Sequence, residues 1–349
     1  MGIKKIKKNK KINLIPWKDL KKIAYIRRNN LGDLCMAMPG LILIKELAPQ
    51  AEIVLYGSKS NQLLAPYFSE YFKDFKVIEA PYGRNFNILK NFLSPRKYDL
   101  VISAKTSPDW QNSLLLKSFK ARFTLGFGLN KALDKDPDIS ALHQSAKILY
   151  LISGYLNFQG QINKTPENLY PKIKINISQE LINHWSEAYL INLNQPKLLV
   201  SLSNNRASCR LNFEYLIKLL TSFKNKYFDF NYQIIFTALP QDQEFAQKLV
   251  SLISGSVFIP TPNFHDFMQL LYLCDLGLCG DSGTGHLLAA MGKPQVLLLD
   301  SEKKLKHWGV LNTRAICLVA PEEGQSGDVN KIPMEKILGA LEDSIKNLS

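Results

Sequence analysis

The heptapeptide Gly280-Asp281-Ser282-Gly283-Thr284-Gly285-His286 collects residue types that hold an anion. It follows an apolar run, 276–279, and precedes small and apolar residues, 285–291. A loop so placed closes a strand and opens a helix. A helix start offers unpaired backbone N–H groups and the positive end of the dipole. Gly283 and Gly285 let a ligand approach the backbone closely. Ser282 and Thr284 add hydroxyl donors, and His286 in the first turn can donate to an anion. Asp281 can hold a ribose hydroxyl or order the loop. The plainer reading is a strand-to-helix loop capped by Asp or Ser.

Two further loops carry similar chemistry. In Arg27-Arg28-Asn29-Asn30-Leu31-Gly32-Asp33, Gly32 permits a tight turn before a helical pattern. Asp33 there can act as a general base, or simply complement the helix dipole. The loop Ser203-Asn204-Asn205-Arg206-Ala207-Ser208-Cys209-Arg210 is rich in donors, and Arg206 and Arg210 suit phosphate oxygens. Its alternative is an ordinary basic surface loop. His143 opens another helical stretch. Asp242, after Ala238-Leu239-Pro240-Gln241, reads equally as a cap or a ribose ligand.

These loops need rigid elements to aim them. From Lys22 onward, short apolar strands alternate with helical patterns: strand 23–26, helix 34–47, strands 53–56, 77–78, 100–102 and 123–127, then helix 143–155. A polar stretch, 159–168, reads as a linker, with a domain boundary near 160–180 and strand-like 172–177. The alternation resumes with strand 198–202, helix 213–223, strand 234–237, helix 242–253, strand 257–259, helix 264–273, strand 276–279, helix 285–291 and strand 296–299. A last helix spans 334–348. The order implies an α/β protein of two doubly wound parallel sheets. Ligands in such folds bind at the carboxyl ends of strands.

Composition agrees. The 349 residues are 46% hydrophobic and 21% charged, enough for two ordinary cores. Cys35, Cys209, Cys274, Cys279 and Cys317 form no CxxC pair, which points to reduced thiols in a cytoplasmic compartment and no zinc site. No run is long enough to span a bilayer, and no apolar signal core follows the basic N-terminus. The net charge of +14 is uneven: residues 1–22 hold nine lysines against one Asp. Ile3, Ile6, Ile12, Leu14, Ile15 and Trp17 interleave with them. A solvated arm, an interfacial segment on an anionic leaflet and a nucleic-acid contact all fit that pattern. No recognised nucleic-acid module accompanies it.

Taken together, these residues resemble glycosyltransferase family 9, the lipopolysaccharide heptosyltransferases, from Lys21 to the last helix. KIAYIRRNNLGDLCMAMP, residues 22–39, is similar to the family's opening strand and xxGD loop. Residues 143–149 are similar to its helix with a leading His. NFHDFMQLLYLCDLGLCGDSGTGHLLAAMGKPQVLLL, residues 263–299, is similar to its D-[ST]-G-x-x-H block followed by AA-x-G-x-P. Two departures are evident. Where the family commonly has Lys-x-Trp-Pro, this chain has Cys209-Arg210-Leu211-Asn212. It has Asp300-Ser301 where Gly and Thr are usual.

The resemblance implies a GT-B architecture, two Rossmann-like domains facing a cleft. A basic arm, 1–20, would precede an acceptor-binding domain, 21–170. A nucleotide-sugar-binding domain, 171–349, would follow, its last helix able to pack back on the first domain. It implies inverting, metal-independent transfer of a heptose or related sugar from a nucleotide-diphosphate donor such as ADP-heptose to a lipopolysaccharide core acceptor. Asp33 would be the catalytic base. Ser203, Asn205, Arg206, Arg210, Asp242, Asp281, Ser282, Gly283, Thr284, Gly285 and His286 would bind the donor, and Arg28, Asn30 and His143 the acceptor. The nucleotide sugar is a substrate, and no cofactor or metal is expected. The protein would be a cytoplasmic monomer, peripheral at the inner membrane through its basic N-terminus, with no nucleic-acid partner. A non-catalytic nucleotide-sugar-binding paralogue and a nucleotide-sugar epimerase on the same fold are the alternatives.

Overall fold

The computed structural model describes residues 15–78, 98–129, 134, 137–153, 165–226, 231–323 and 326–347. Two parallel sheets are flanked by helices. The first contains β1 (Lys22–Arg27), β2 (Glu52–Gly57), β3 (Asp74–Val77), β4 (Leu100–Ser103) and β5 (Phe123–Leu125), in the order β3-β2-β1-β4-β5. Ile23 of β1 lies opposite Ile53 on one side and Leu100 on the other. The second contains β6 (Lys197–Ser201), β7 (Gln233–Thr237), β8 (Val257–Phe258), β9 (Leu276–Gly280), β10 (Gln295–Leu299) and β11 (Ala315–Val319), in the order β11-β10-β9-β6-β7-β8. Strands β1, β4, β7 and β10 are buried almost throughout. Their continuous apolar runs follow from helices covering both faces of a parallel sheet.

In each sheet the chain reverses direction beside a central strand. After β1 it moves outward through β2 and β3, then returns to the other side of β1 as β4. After β6 it moves through β7 and β8, then returns as β9. Ligands of open α/β sheets bind beyond the carboxyl ends of strands at such switch points. The loops that follow β1, β6 and β9 therefore stand where binding loops belong.

Six helices bear on the site: α1 (Leu31–Leu47), α2 (Trp110–Ser118), α3 (Gln144–Ser153), α4 (Gly283–Ala290), α5 (Glu302–Trp308) and α6 (Met334–Lys346). Helix α1 is apolar on every side, with Leu34, Met36, Met38 and Leu41 all buried. A helix of that kind must be covered all round. It packs against α3 in its own domain and against α4 of the second domain. One apolar core thus runs from the first sheet through α1 into Leu287 and Leu288 of α4.

Several expected boundaries shift. Helix α1 begins at Leu31, and α4 at Gly283, so both reach into the loops they were expected to follow. Residues 171–178 form no strand, and Ile173 N–H instead donates to the Ala290 carbonyl at 2.8 Å. Among the described residues the last helix packs chiefly on the second domain. It buries Ile337, Leu341 and Ile345 against the second sheet, because β10 and β11 need a cover on that face. The basic arm is shorter than expected. Ile15, Trp17 and Leu20 are buried in the first core, where apolar area leaves water, so they are not free for an interface. Residues 1–14 lie outside the described residues. Among the described residues no helix is long and apolar enough to cross a membrane.

Candidate functional site

Strand β1 ends in Arg27, whose side chain is only 3% exposed. A buried guanidinium must be partnered. Its Nη1 donates to the Ala104 carbonyl at 2.6 Å, tying the ends of β1 and β4 together. Its Nη2 donates to Asp33 Oδ1. Asp33 is the third residue of α1, and its Oδ2 accepts the Asn30 N–H at 3.2 Å. The carboxylate therefore completes the cap of α1 and is held from both sides. Asn30 is exposed, and its carbonyl accepts from Asn61 Nδ2 at 3.3 Å. Arg28 is half-buried beside it.

Strand β9 ends in Gly280, and α4 opens three residues later. A Cβ on Gly280 would lie 2.0 Å from the Cys209 carbonyl oxygen. Only glycine lets the loop after β6 cross β9 this closely. Asn204 and Arg206 both reach the Asp281 carbonyl from that loop. Thr284 Oγ1 lies 3.3 Å from Ser201 Oγ. Asn205 is exposed on the outside of the turn.

The two domains meet where these loops face each other. A Cβ on Gly32 would stand 2.6 Å from His286 Cδ2. One on Gly283 would be 3.8 Å from Leu31 Cβ. The start of α1 thus lies against the start of α4, and Asp33 shares its surroundings with Asp281 and His286. Three buried polar atoms at this junction have no hydrogen-bond partner within the protein: Arg27 Nε, Ser282 Oγ and His286 Nδ1. Native interiors rarely leave such atoms unpaired, and a functional site is one setting that does.

The arginines expected to clamp phosphate have protein partners. Arg206 Nη2 pairs with Asp281, and its Nη1 lies 3.2 Å from Asp300 Oδ2. Asp300 also accepts from the Cys209 thiol at 3.3 Å, Ser208 at 3.2 Å and Ser301 at 3.2 Å. Burial alone would raise the Asp300 carboxyl; the Cys209 thiol, the Arg206 guanidinium and the two hydroxyls outweigh it and hold it below the usual carboxylate range. Burial pushes the Cys209 thiol up to about 11, despite the nearby Arg206, so it stands as a neutral donor. Arg210 Nη1 pairs with Asp242 Oδ1 at 3.1 Å, and Ser203 Oγ donates to Asp242 Oδ2 at 2.6 Å. Asp242 is therefore held by its neighbours rather than capping the next helix. Among the described residues no group of three His, Cys, Asp or Glu side chains is gathered for a metal.

His143 is turned toward the second domain. Its Nδ1 accepts the Ser145 N–H at 3.4 Å, which leaves Nε2–H to donate to the Gly309 carbonyl at 2.9 Å. His307 at the end of α5 returns the contact, its Nδ1 lying 3.0 Å from the Leu142 carbonyl. At the far side of the seam Tyr67 Oη is 2.8 Å from His265 Nδ1. Four of the five histidines therefore line the contact between the domains, and only His184 stands apart. Sequence reading gave Arg27, Cys209, Asp300 and His307 no role. For Arg27 a signal existed: an arginine ending an apolar strand needs a buried acceptor.

Burial lowers the His286 imidazole below its ordinary 6.5, outweighing the pull of Asp281 and Asp33. Burial likewise lowers His143 below 6.5, with His286 and His307 adding to it and the Gly309 carbonyl and Glu167 opposing. Both rings are neutral in the folded protein at pH 7. Below pH 6.5 the unfolded chain binds these protons and the folded chain does not, so stability falls as pH falls. The melting temperature should hold above pH ~6.5 and drop toward pH 5. His286→Gln should flatten that slope in melts recorded across this range. An unchanged slope in the variant would place the titration elsewhere.

The model of "Glycosyltransferase family 9 (heptosyltransferase)" matches residues 88–337. The lipopolysaccharide core heptosyltransferase OpsX of Haemophilus influenzae is 23% identical over 322 residues, spanning 87% of this chain and 86% of its own. A solved family 9 glycosyltransferase from Veillonella parvula superposes with a TM-score of 0.75 at 17% identity, covering 96% of this chain and 99% of that one. The structure of E. coli ADP-heptose lps heptosyltransferase II gives 0.70 at 14% identity, over 93% and 99%. At these identities the structural likeness speaks to the fold, which is the GT-B arrangement of two sheets.

Proposed function

The chain belongs to glycosyltransferase family 9, and from that premise we propose that it transfers a heptosyl residue, with inversion, from ADP-heptose to a lipopolysaccharide core acceptor. The observation that carries this reading is the junction of the Asp33 and 281–286 loops. It sets a carboxylate of one domain beside a glycine-rich helix start of the other.

The donor diphosphate would lie at the start of α4. The backbone N–H groups there, the helix dipole and Ser282 Oγ would take up charge as the C1–oxygen bond to phosphate breaks. His286 Nδ1, buried and unpaired, fits a single hydrogen bond to the donor. It binds as a neutral ring, so it contributes a directed contact rather than a full charge. Arg206 reaches the same loop through the Asp281 carbonyl, and its guanidinium would shift from the carboxylates toward phosphate oxygens when the donor enters.

The acceptor hydroxyl would approach from the first domain, on the face opposite the leaving diphosphate. Asp33 removes its proton as the sugar passes through an oxocarbenium-like state. Arg27 pairs with that carboxylate and keeps it aimed. No step in this account calls on a metal, because the helix start and guanidinium supply the positive charge. The seam contacts of His143 and His307 would hold the domains closed and exclude water from the reacting atoms.

Donor identity is tested by thermal shift of the full chain against ADP-heptose, UDP-sugars and GDP-sugars. ADP-heptose at 100-fold over its Kd should stabilise the protein by about 2.7 kcal/mol, with no matching shift from the others. A shift with a UDP- or GDP-sugar instead would overturn the donor assignment while leaving the transferase reading standing.

A further inference from the structure

Helix α2 leaves one face uncovered. It buries Asn112, Leu115, Leu116 and Ser118 against the first sheet. Trp110 is 72% exposed and Leu114 37% exposed, and Lys117 is exposed beyond them. Positions 110, 114 and 117 fall at i, i+4 and i+7, so they form one stripe. Lys120 and Arg122 continue it past the helix end, both exposed. Residues 110–122 contain no Asp or Glu. The carboxylate just before it in sequence, Asp109, is engaged by Lys105 at 2.6 Å and caps the helix through Gln111 N–H.

The stripe is therefore an indole and a leucine followed by three cations. That is the chemistry of a segment lying in the interface of an anionic bilayer. Trp prefers the headgroup level, Leu enters the acyl boundary, and lysine and arginine stems let their charges reach lipid phosphates. Its location is consistent. Arg27 Nη1 holds the Ala104 carbonyl, so the loop leading into α2 starts beside Asp33. Trp110 stands at the same end of the first sheet as the proposed base, and the helix carries the stripe back toward the other end, where Arg122 N–H donates to the Tyr98 carbonyl.

We propose that the Trp110–Leu114–Lys117 face of α2 docks on the surface of a membrane rich in anionic lipid, setting the acceptor domain against the bilayer. It goes beyond the proposed transfer reaction and is scored without any sugar, so its failure and the failure of that reading are distinct. The full chain has a native reporter. Trp17 and Trp185 are buried and Trp308 is half-buried, which leaves Trp110 as the most exposed of the four tryptophans.

The test uses vesicles of phosphatidylglycerol and phosphatidylcholine against vesicles of phosphatidylcholine alone. Tryptophan emission should shift to the blue on the anionic vesicles and be quenched by lipids brominated in the acyl chain. Trp110→Phe should lose that quenching. Trp110→Ser with Leu114→Ser should weaken partitioning about 5-fold or more in sedimentation, with an unchanged melting temperature, since neither side chain is in the core. Binding without acyl-chain quenching would overturn the proposal, as would a double variant that binds like the parent. Either result would leave the lysine-rich N-terminus as the sole contact. A concentration-dependent dimer that the double variant abolishes would also overturn it, by assigning the face to a second copy of the chain.

Discussion

Asparagine in place of Asp33 should lower kcat by about 10²- to 10⁴-fold, the range that general base catalysis contributes. Donor affinity measured by calorimetry should stay near the parent value. The substitution is nearly isosteric and keeps an acceptor for Asn30 N–H, so α1 keeps its cap. It removes the charge facing Arg27, whose guanidinium is 3% exposed. Breaking a buried pair costs about 3–5 kcal/mol when one charge is left bare. The remaining amide oxygen should hold the loss to the lower part of that range. The variant must therefore be assayed well below its own melting temperature. A folded, donor-binding Asp33→Asn protein that turns over normally would remove Asp33 from the role of base.

A second large effect should come from one methyl group. Gly32→Ala places a Cβ 2.6 Å from His286 Cδ2, inside any real contact. The imidazole cannot swing away, because it is buried at the start of α4. The seam must instead open by several tenths of an ångström or more at the point where donor and acceptor would meet. Misplacement on that scale costs about 10²-fold in rate. The expected result is a fall in kcat/KM of that order with both domains still folded. Gly339→Ala is the matched control: its Cβ meets nothing within 4 Å on α6, and it should leave kinetics unchanged. Equal losses in both variants would mean that the effect is general destabilisation rather than disruption of the seam.

How far the sequence carried this picture depends on the kind of contact. Strands such as β1, β6 and β10 are legible because two-sided burial writes itself as a run of apolar residues. The loops after β1 and β9 are legible because Gly32, Gly283 and Gly285 mark tight strand-to-helix turns between apolar elements. Helix Gln179–Tyr189 was missed although Leu181, Trp185 and Tyr189 recur at helical spacing; only Trp185 is fully buried, so the apolar stripe is narrow in a mostly polar segment. Strand β11 was missed because it is an edge strand of intermediate burial. Ion pairs are the least legible. Arg206 finds Asp281 and Asp300 at separations of 75 and 94 residues, and no spacing rule reaches that far. The cations looked like free phosphate clamps in the sequence; in the structure each already has a carboxylate.

That difference sharpens the role of the 281–286 loop. Cys209, standing where the family commonly has lysine, donates to Asp300 and so helps to settle the acid that Arg206 also engages. The positive charge for a diphosphate would then come from a single mobile guanidinium and a fixed helix start. A salt-dependent donor affinity follows naturally from that arrangement.

The central claim is that this junction moves a sugar between two substrates. The most direct measurement incubates the purified full chain with ADP-heptose and a lipopolysaccharide core acceptor lacking the terminal heptose, and reads both products by mass spectrometry and NMR. The expected products are an acceptor heavier by one heptosyl residue, ADP released in equal amount, and an anomeric configuration opposite to that of the donor. Consumption or epimerisation of ADP-heptose with no heptosylated acceptor would contradict it.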